Sequence, residues 1–97
     1  MDKNKTLAYH FRRRAEERFG FNAHRKVKNY LIKLIQNNGA EVIERQSLTR
    51  GIYKINIPES ARRDFNGLEY IYVVYDKGRH KLVTILTEEM LGEEDSD

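Results

Sequence analysis

Apolar residues recur about every fourth position in the first part of the chain and about every second position in the rest. Leu7, Phe11, Ala15 and Phe19 form one stripe at helical spacing. They predict a helix over Leu7–Phe19, with Thr6 placed to cap its start and residues 1–5 frayed. Gly20 ends it, because glycine enters the left-handed conformation without a steric cost. Val27, Tyr30, Leu31, Leu34 and Ile35 mark a second helix over Ala23–Asn37, capped by Asn22 and stopped by Asn38-Gly39. So short a connection makes the helices a hairpin or an angled pair.

Beyond Gly39 the spacing changes to two. Ala40–Ser47 and Gly51–Ile57 read as strands around a turn at Leu48–Gly51, and Pro58 ends the second. Residues 58–67 read as a polar loop with a helical turn at Ser60–Asp64. Leu68–Tyr75 is rich in β-branched and aromatic residues, Asp76–Arg79 is a hairpin turn, and His80–Thr87 is the return strand. Thr87 is placed to cap a last turn over Glu88–Leu91. The order α-α-β-β-β-β predicts an α+β domain over residues 1–91. Two helices would pack on one face of a four-stranded antiparallel sheet. Residues 92–97 read as an acidic, disordered tail.

Composition narrows the chemistry. With no cysteine there is no disulfide framework, no thiolate zinc site and no thiol nucleophile. No apolar run approaches the roughly 20 residues of a membrane span. Residues Met1–Thr6 carry no apolar signal core, so the chain reads as cytoplasmic, with no membrane partner. Glycines match neither a dinucleotide nor a P-loop pattern, and the three histidines lack metal-ligand spacing. No cofactor and no metal are expected.

The net charge of +3 conceals a gradient. Residues 1–33 carry ten Lys/Arg against three Asp/Glu, whereas residues 67–97 carry three against eight. A basic helical half predicts a surface facing a polyanion, or merely a solvated helix face. Arg12, Arg13, Arg25, Lys26 and Lys28, with Arg79 and His80 at the last turn, are the candidate nucleic-acid contacts. His10 has Arg13 and Arg14 three and four positions on, and Arg18 a turn further. A histidine among guanidinium groups suits acid–base chemistry at a phosphodiester, and equally suits an uncatalytic helix edge. Alternation puts Tyr70 and Tyr72 on one sheet face and Tyr75 on the other with Ile71 and Val73. One set must be core; the other either packs or is open to stack bases. Thr84 and Thr87 fall on opposite faces.

The succession of motifs resembles a known group. It runs H-x-x-x-R-x-x-x-R-F-G (His10, Arg14, Arg18, Phe19, Gly20), then E-R-Q-S (Glu44–Ser47), V-V-Y-D (Val73–Asp76) and L-V-T-I-L (Leu82–Leu86). This resembles the barnase–EndoU–colicin–RelE superfamily of small toxin and phage proteins, nearest to BrnT-like members. The resemblance covers roughly residues 7–87. It implies a metal-independent ribonuclease with His10, Arg14, Arg18, Tyr75 and Thr84 as its catalytic set. The implied reaction is attack of a 2′-OH on the adjacent phosphate. Relatives without activity leave a second reading, a phage-type regulator bound to an antitoxin or a host defence protein. A third is a plain RNA- or DNA-binding module. A homodimer through an edge strand or the open sheet face is compatible with all three.

Overall fold

Helix α1 (Lys3–Phe19) is followed by α2 (Arg25–Gln36) and by strands β1 (Ala40–Arg45), β2 (Arg50–Asn56), β3 (Tyr70–Asp76) and β4 (Lys81–Leu86). A 3-10 helix, Glu59–Phe65, lies between β2 and β3, and a short α3 (Glu88–Glu94) closes the chain. This computed structural model describes residues 3–94. The strands form one antiparallel meander in the order β1-β2-β3-β4, as the order of elements predicts. None of the described helices is long and apolar enough to cross a membrane.

One face of the sheet carries the core. Ile55, Ile71, Val73, Tyr75, Leu82 and Ile85 join Phe11 and Ala15 of α1 and Val27 and Leu31 of α2 in a single buried cluster. Along β3 the alternation is as read from the sequence, with Ile71, Val73 and Tyr75 inward. Tyr75 meets Tyr53 edge to face at 5.7 Å between centroids, a favoured aromatic geometry. Helix α1 lies along β4, and α2 rests against β1, β2 and β4. Burial of this face supplies the main driving force, at about 1.5–3 kcal/mol for each large apolar side chain fully withdrawn from water.

Several boundaries move from expectation. Helix α1 begins at Lys3, ahead of the expected start at Thr6. Helix α2 begins at Arg25, with His24 in the N-cap position making no side-chain cap. Asn22 instead accepts a hydrogen bond from Arg12 Nε at 3.1 Å, and the connecting Phe21 and Ala23 are buried. Gly20 does end α1, at φ 72°, and Asn66 Nδ2 donates to the exposed-end carbonyl of Phe19 at 3.0 Å. His80 is not the first residue of β4; it sits in the preceding turn at φ 54°. Thr87 Oγ1 accepts from the Met90 N–H, the expected cap. Gly92–Glu94, expected in a disordered tail, continue α3, and residues 95–97 lie outside the described residues.

The sheet ends differ. β1 is an edge strand with exposed Val42 and Ile43, and it is interrupted by a bulge between Val42 and Glu44. Bulges and charges such as Glu41, Glu44 and Arg45 are common guards of an open edge. β4 has a strand neighbour on one side only, and the Arg18 guanidinium donates to its Ile85 carbonyl. At the far end the β3–β4 turn is tied to the β1–β2 turn. Lys77 N–H donates to the Thr49 carbonyl at 2.8 Å, and a Cβ on Gly78 would lie 3.0 Å from Thr49 Cγ2.

Asp76 holds this junction. It is 4% exposed, pairs with Arg50 Nε at 3.2 Å, and accepts the N–H groups of Gly78 and Arg79 at 3.0 and 3.2 Å. Burial pushes its carboxyl upward, but Arg50, the two turn N–H groups and Thr49 outweigh that and hold it below the ordinary value. The folded carboxyl therefore stays charged to lower pH than the unfolded one. Its stabilisation is fully present above the unfolded value of about 3.9 and is lost as pH falls through the folded value. Asp76→Ala is expected to cost about 1–3 kcal/mol at neutral pH by orphaning those donors. It should also flatten the acid limb of stability against pH, as followed by urea unfolding; an unchanged limb would contradict this role.

Candidate cationic site

Arg12 of α1, Arg25 and Lys28 of α2 and Lys81 of β4 are cations from three elements whose charges act on one another. Lys28, one turn into α2, is half-buried. Its ammonium is held below the ordinary lysine value, first by burial and then by repulsion from Lys81, Arg12 and Arg25. Each comes from a different piece of local structure. Arg12 follows buried Phe11 on α1 and is fixed by Asn22; Arg25 opens α2; Lys81 opens β4. Among the described residues none of the four makes an ion pair. The first turn of α2 contains no acidic residue, and its N-cap side chain leaves the leading N–H groups unengaged. The positive end of the helix dipole thus adds to the same field.

The residues expected to act together at a scissile phosphate are distributed otherwise. His10 is exposed on α1, its ring edge-on to Tyr9 at 5.9 Å. Arg14 is exposed and bound to Glu17 at 3.2 Å. Arg18 is engaged with the Ile85 carbonyl. Tyr75 is 2% exposed in the core, and burial pushes its phenol upward. Its hydroxyl lies 3.5 Å from His80 Nδ1. Thr84 pairs with Val74, so it stands on the face opposite Tyr75. The hairpin register, with its shift between Val74 and Tyr75, separates these two expected partners.

The expected nucleic-acid contacts divide more favourably. Arg12, Arg25 and Lys28 come together. Arg13 is bound to Glu17 at 2.8 Å, and that hydrogen bond raises its basicity further. Lys26 lies apart, with His24, along a hollow between α2 and the 3-10 helix that also includes Asp64. Arg79 and His80 are exposed in the β3–β4 turn. Sequence reasoning missed Lys81 and the role of Asn22. Lys81 was visible as the third residue of the run Arg79-His80-Lys81, but only the packing of β4 beside the helices singles it out. Among the described residues no group of three or more His, Asp or Glu is arranged to hold a metal ion.

No protein-family model, curated protein or solved structure matches this chain.

Keeping Lys28 charged costs the folded state stability, since its folded value is depressed relative to the unfolded one of about 10.4. The unfolded chain binds the proton more tightly, so stability rises with pH between the folded and unfolded values. Lys28→Met keeps most of the aliphatic stem and removes the charge. It is expected to raise the unfolding free energy at pH 7, and with it the urea midpoint, by on the order of a few tenths of a kcal/mol for partly screened charges. It should also remove the alkaline rise; a lowered midpoint would show that the ammonium is not under repulsion.

Proposed function

We propose that this protein binds nucleic acid through the phosphate backbone, with Arg12, Arg25, Lys28 and Lys81 as the contacting cations. What supports this reading is that half-buried Lys28 has its basicity lowered by burial and then by Lys81, Arg12 and Arg25, none of which makes an ion pair among the described residues. Such a cluster raises the energy of the free protein and lowers it again when an anion enters. A phosphodiester chain supplies several anionic groups at once and releases condensed counterions when it does so. The N-terminus of α2 adds N–H donors of the kind that hold phosphate oxygens. The resemblance of the motifs around His10 and Val73–Leu86 to the barnase–EndoU–colicin–RelE superfamily favours RNA as the polyanion.

Binding, rather than cutting, is the reading the geometry favours. Cutting would require His10, Arg14, Arg18, Tyr75 and Thr84 in one site, and Tyr75 and Thr84 occupy opposite faces of the sheet. Arg14 and Arg18 are already engaged elsewhere in the chain.

The test is the affinity for a labelled RNA oligonucleotide as a function of salt, measured in EDTA so that intactness of the RNA is read from the same samples. Four phosphate contacts correspond to a slope of log K against log salt of about −3 for a single strand. Lys28→Met or Lys81→Ala should each reduce that slope by somewhat under one, about 0.7, whereas Arg13→Ala should leave it unchanged. No binding at roughly 50 mM salt would contradict the proposal. Cleavage lost in His10→Ala would restore the ribonuclease reading.

A further inference from the structure

We infer that the groove at the start of β3 and the end of β4 is a docking site for an arginine side chain presented by a basic segment of a protein partner. This goes beyond the nucleic-acid reading and uses none of its cations. The groove holds about 410 Å³. Its walls include the half-buried Phe19, Tyr70, Tyr72 and Leu86 and the exposed carboxylates of Glu69 and Glu88. A space of this volume takes a small ligand or one long side chain. Among the described residues that line it there is no Lys or Arg.

The walls are set by neighbouring elements. Phe19 ends the apolar stripe of α1 beside the glycine stop. Tyr70 and Tyr72 alternate with buried Ile71 on β3, and Leu86 pairs with Tyr72 across the hairpin. Glu88 opens α3. The two tyrosine rings meet edge to face at 5.7 Å and 76°, and the Tyr70 hydroxyl donates to the Glu88 carboxylate. That hydrogen bond and then the charge of Glu88 hold the phenol above its ordinary value, so Tyr70 keeps its proton and goes on donating. The Glu88 carboxylate has lone pairs beyond the one that Tyr70 engages.

Charge selects the occupant. Neither Glu69 nor Glu88 makes an ion pair among the described residues. Two exposed carboxylates repel a phosphate chain and attract a cation. The aromatic pair already receives a cation of its own chain: Lys54 Nζ lies 4.5 Å from the Tyr70 ring centre, a cation–π contact. Lys54 is not part of the lining, and Arg18, next to Phe19, is committed to the Ile85 carbonyl. A guanidinium fits such walls better than an ammonium, because it is flat, stacks on a ring and offers two N–H groups to one carboxylate. From Lys81 to Leu86 β4 spans roughly 17 Å, at about 3.3 Å per residue, so the groove and the cationic group can be filled together.

The experiment is fluorescence anisotropy of the full chain with a labelled peptide of alternating glycine and arginine, at low salt. Matched peptides carry citrulline, lysine or trimethyllysine in place of arginine. The arginine peptide is expected to bind, the lysine peptide more weakly, and the citrulline peptide, which keeps the shape and loses the charge, not measurably. Glu88→Gln should weaken the arginine peptide about three- to fivefold, as for one partly exposed ion pair. Tyr72→Ala should weaken it about two- to fivefold, as for one cation–π contact. Glu89→Gln changes the net charge equally from an exposed position outside the groove and should leave the affinity unchanged. Lys28→Met should not weaken the peptide, so a failure of RNA binding leaves this inference standing. No binding of the arginine peptide, equal binding of the citrulline peptide, equal effects of Glu88→Gln and Glu89→Gln, or wild-type affinity in Tyr72→Ala would overturn the docking site. Tighter binding of the trimethyllysine peptide would overturn the choice of a guanidinium.

Discussion

Phe11 and Ala15 have no exposed surface, and both can be buried only if their ridge of α1 faces the sheet. The helix consequently lies along β4, and its other residues are placed by that one constraint. Arg18, a turn beyond Ala15, reaches the Ile85 carbonyl on the strand's otherwise unpaired side. Arg12, next to Phe11, is turned toward the connection, where Asn22 fixes its guanidinium. Val27 and Leu31 set α2 by the same rule, and Lys28, adjacent to Val27, is drawn partly out of water with them. The cationic cluster is therefore a product of core packing: apolar burial brings together charges that would separate in a free chain.

Such an arrangement is stable because burial outweighs screened repulsion by a wide margin. It is nevertheless unlike the rest of the surface. Arg13 and Arg14, on a neighbouring strip of α1, share Glu17, and Arg50 is matched by Asp76. Lys28, Arg12, Arg25 and Lys81 have no such balance among the described residues. Groups held in an unfavourable electrostatic setting beside a surface are candidates for function, since a ligand of opposite charge relieves the strain.

Much of the fold was legible because its periodicities are long and clean. The stripe through Phe11 and Ala15, the alternation of Ile71, Val73 and Tyr75, and the glycine stop at Gly20 all appear in the structure as read. Helix starts were less legible. A capping residue such as Thr6 or Asn22 signals a boundary only if its side chain is not needed elsewhere, and Asn22 is claimed by Arg12. The expected catalytic set failed to converge for a different reason. Which face Thr84 shares with β3 depends on cross-strand register, and the shift between Val74 and Tyr75 leaves no local mark in the sequence. Lys81 escaped notice because its significance arises from elements far from it in the chain. The group around Lys28 unites residues separated by most of the domain, and no local pattern encodes that meeting.

The most direct measurement is an NMR titration of the Lys28 ammonium in the full chain, free and with a saturating RNA oligonucleotide. Charge crowding requires the free protein to titrate below the ordinary lysine value, and the bound protein to titrate distinctly higher as phosphate replaces repulsion with attraction. A Lys28 that titrates normally in the free chain, or whose titration is unmoved by the oligonucleotide, would contradict the account.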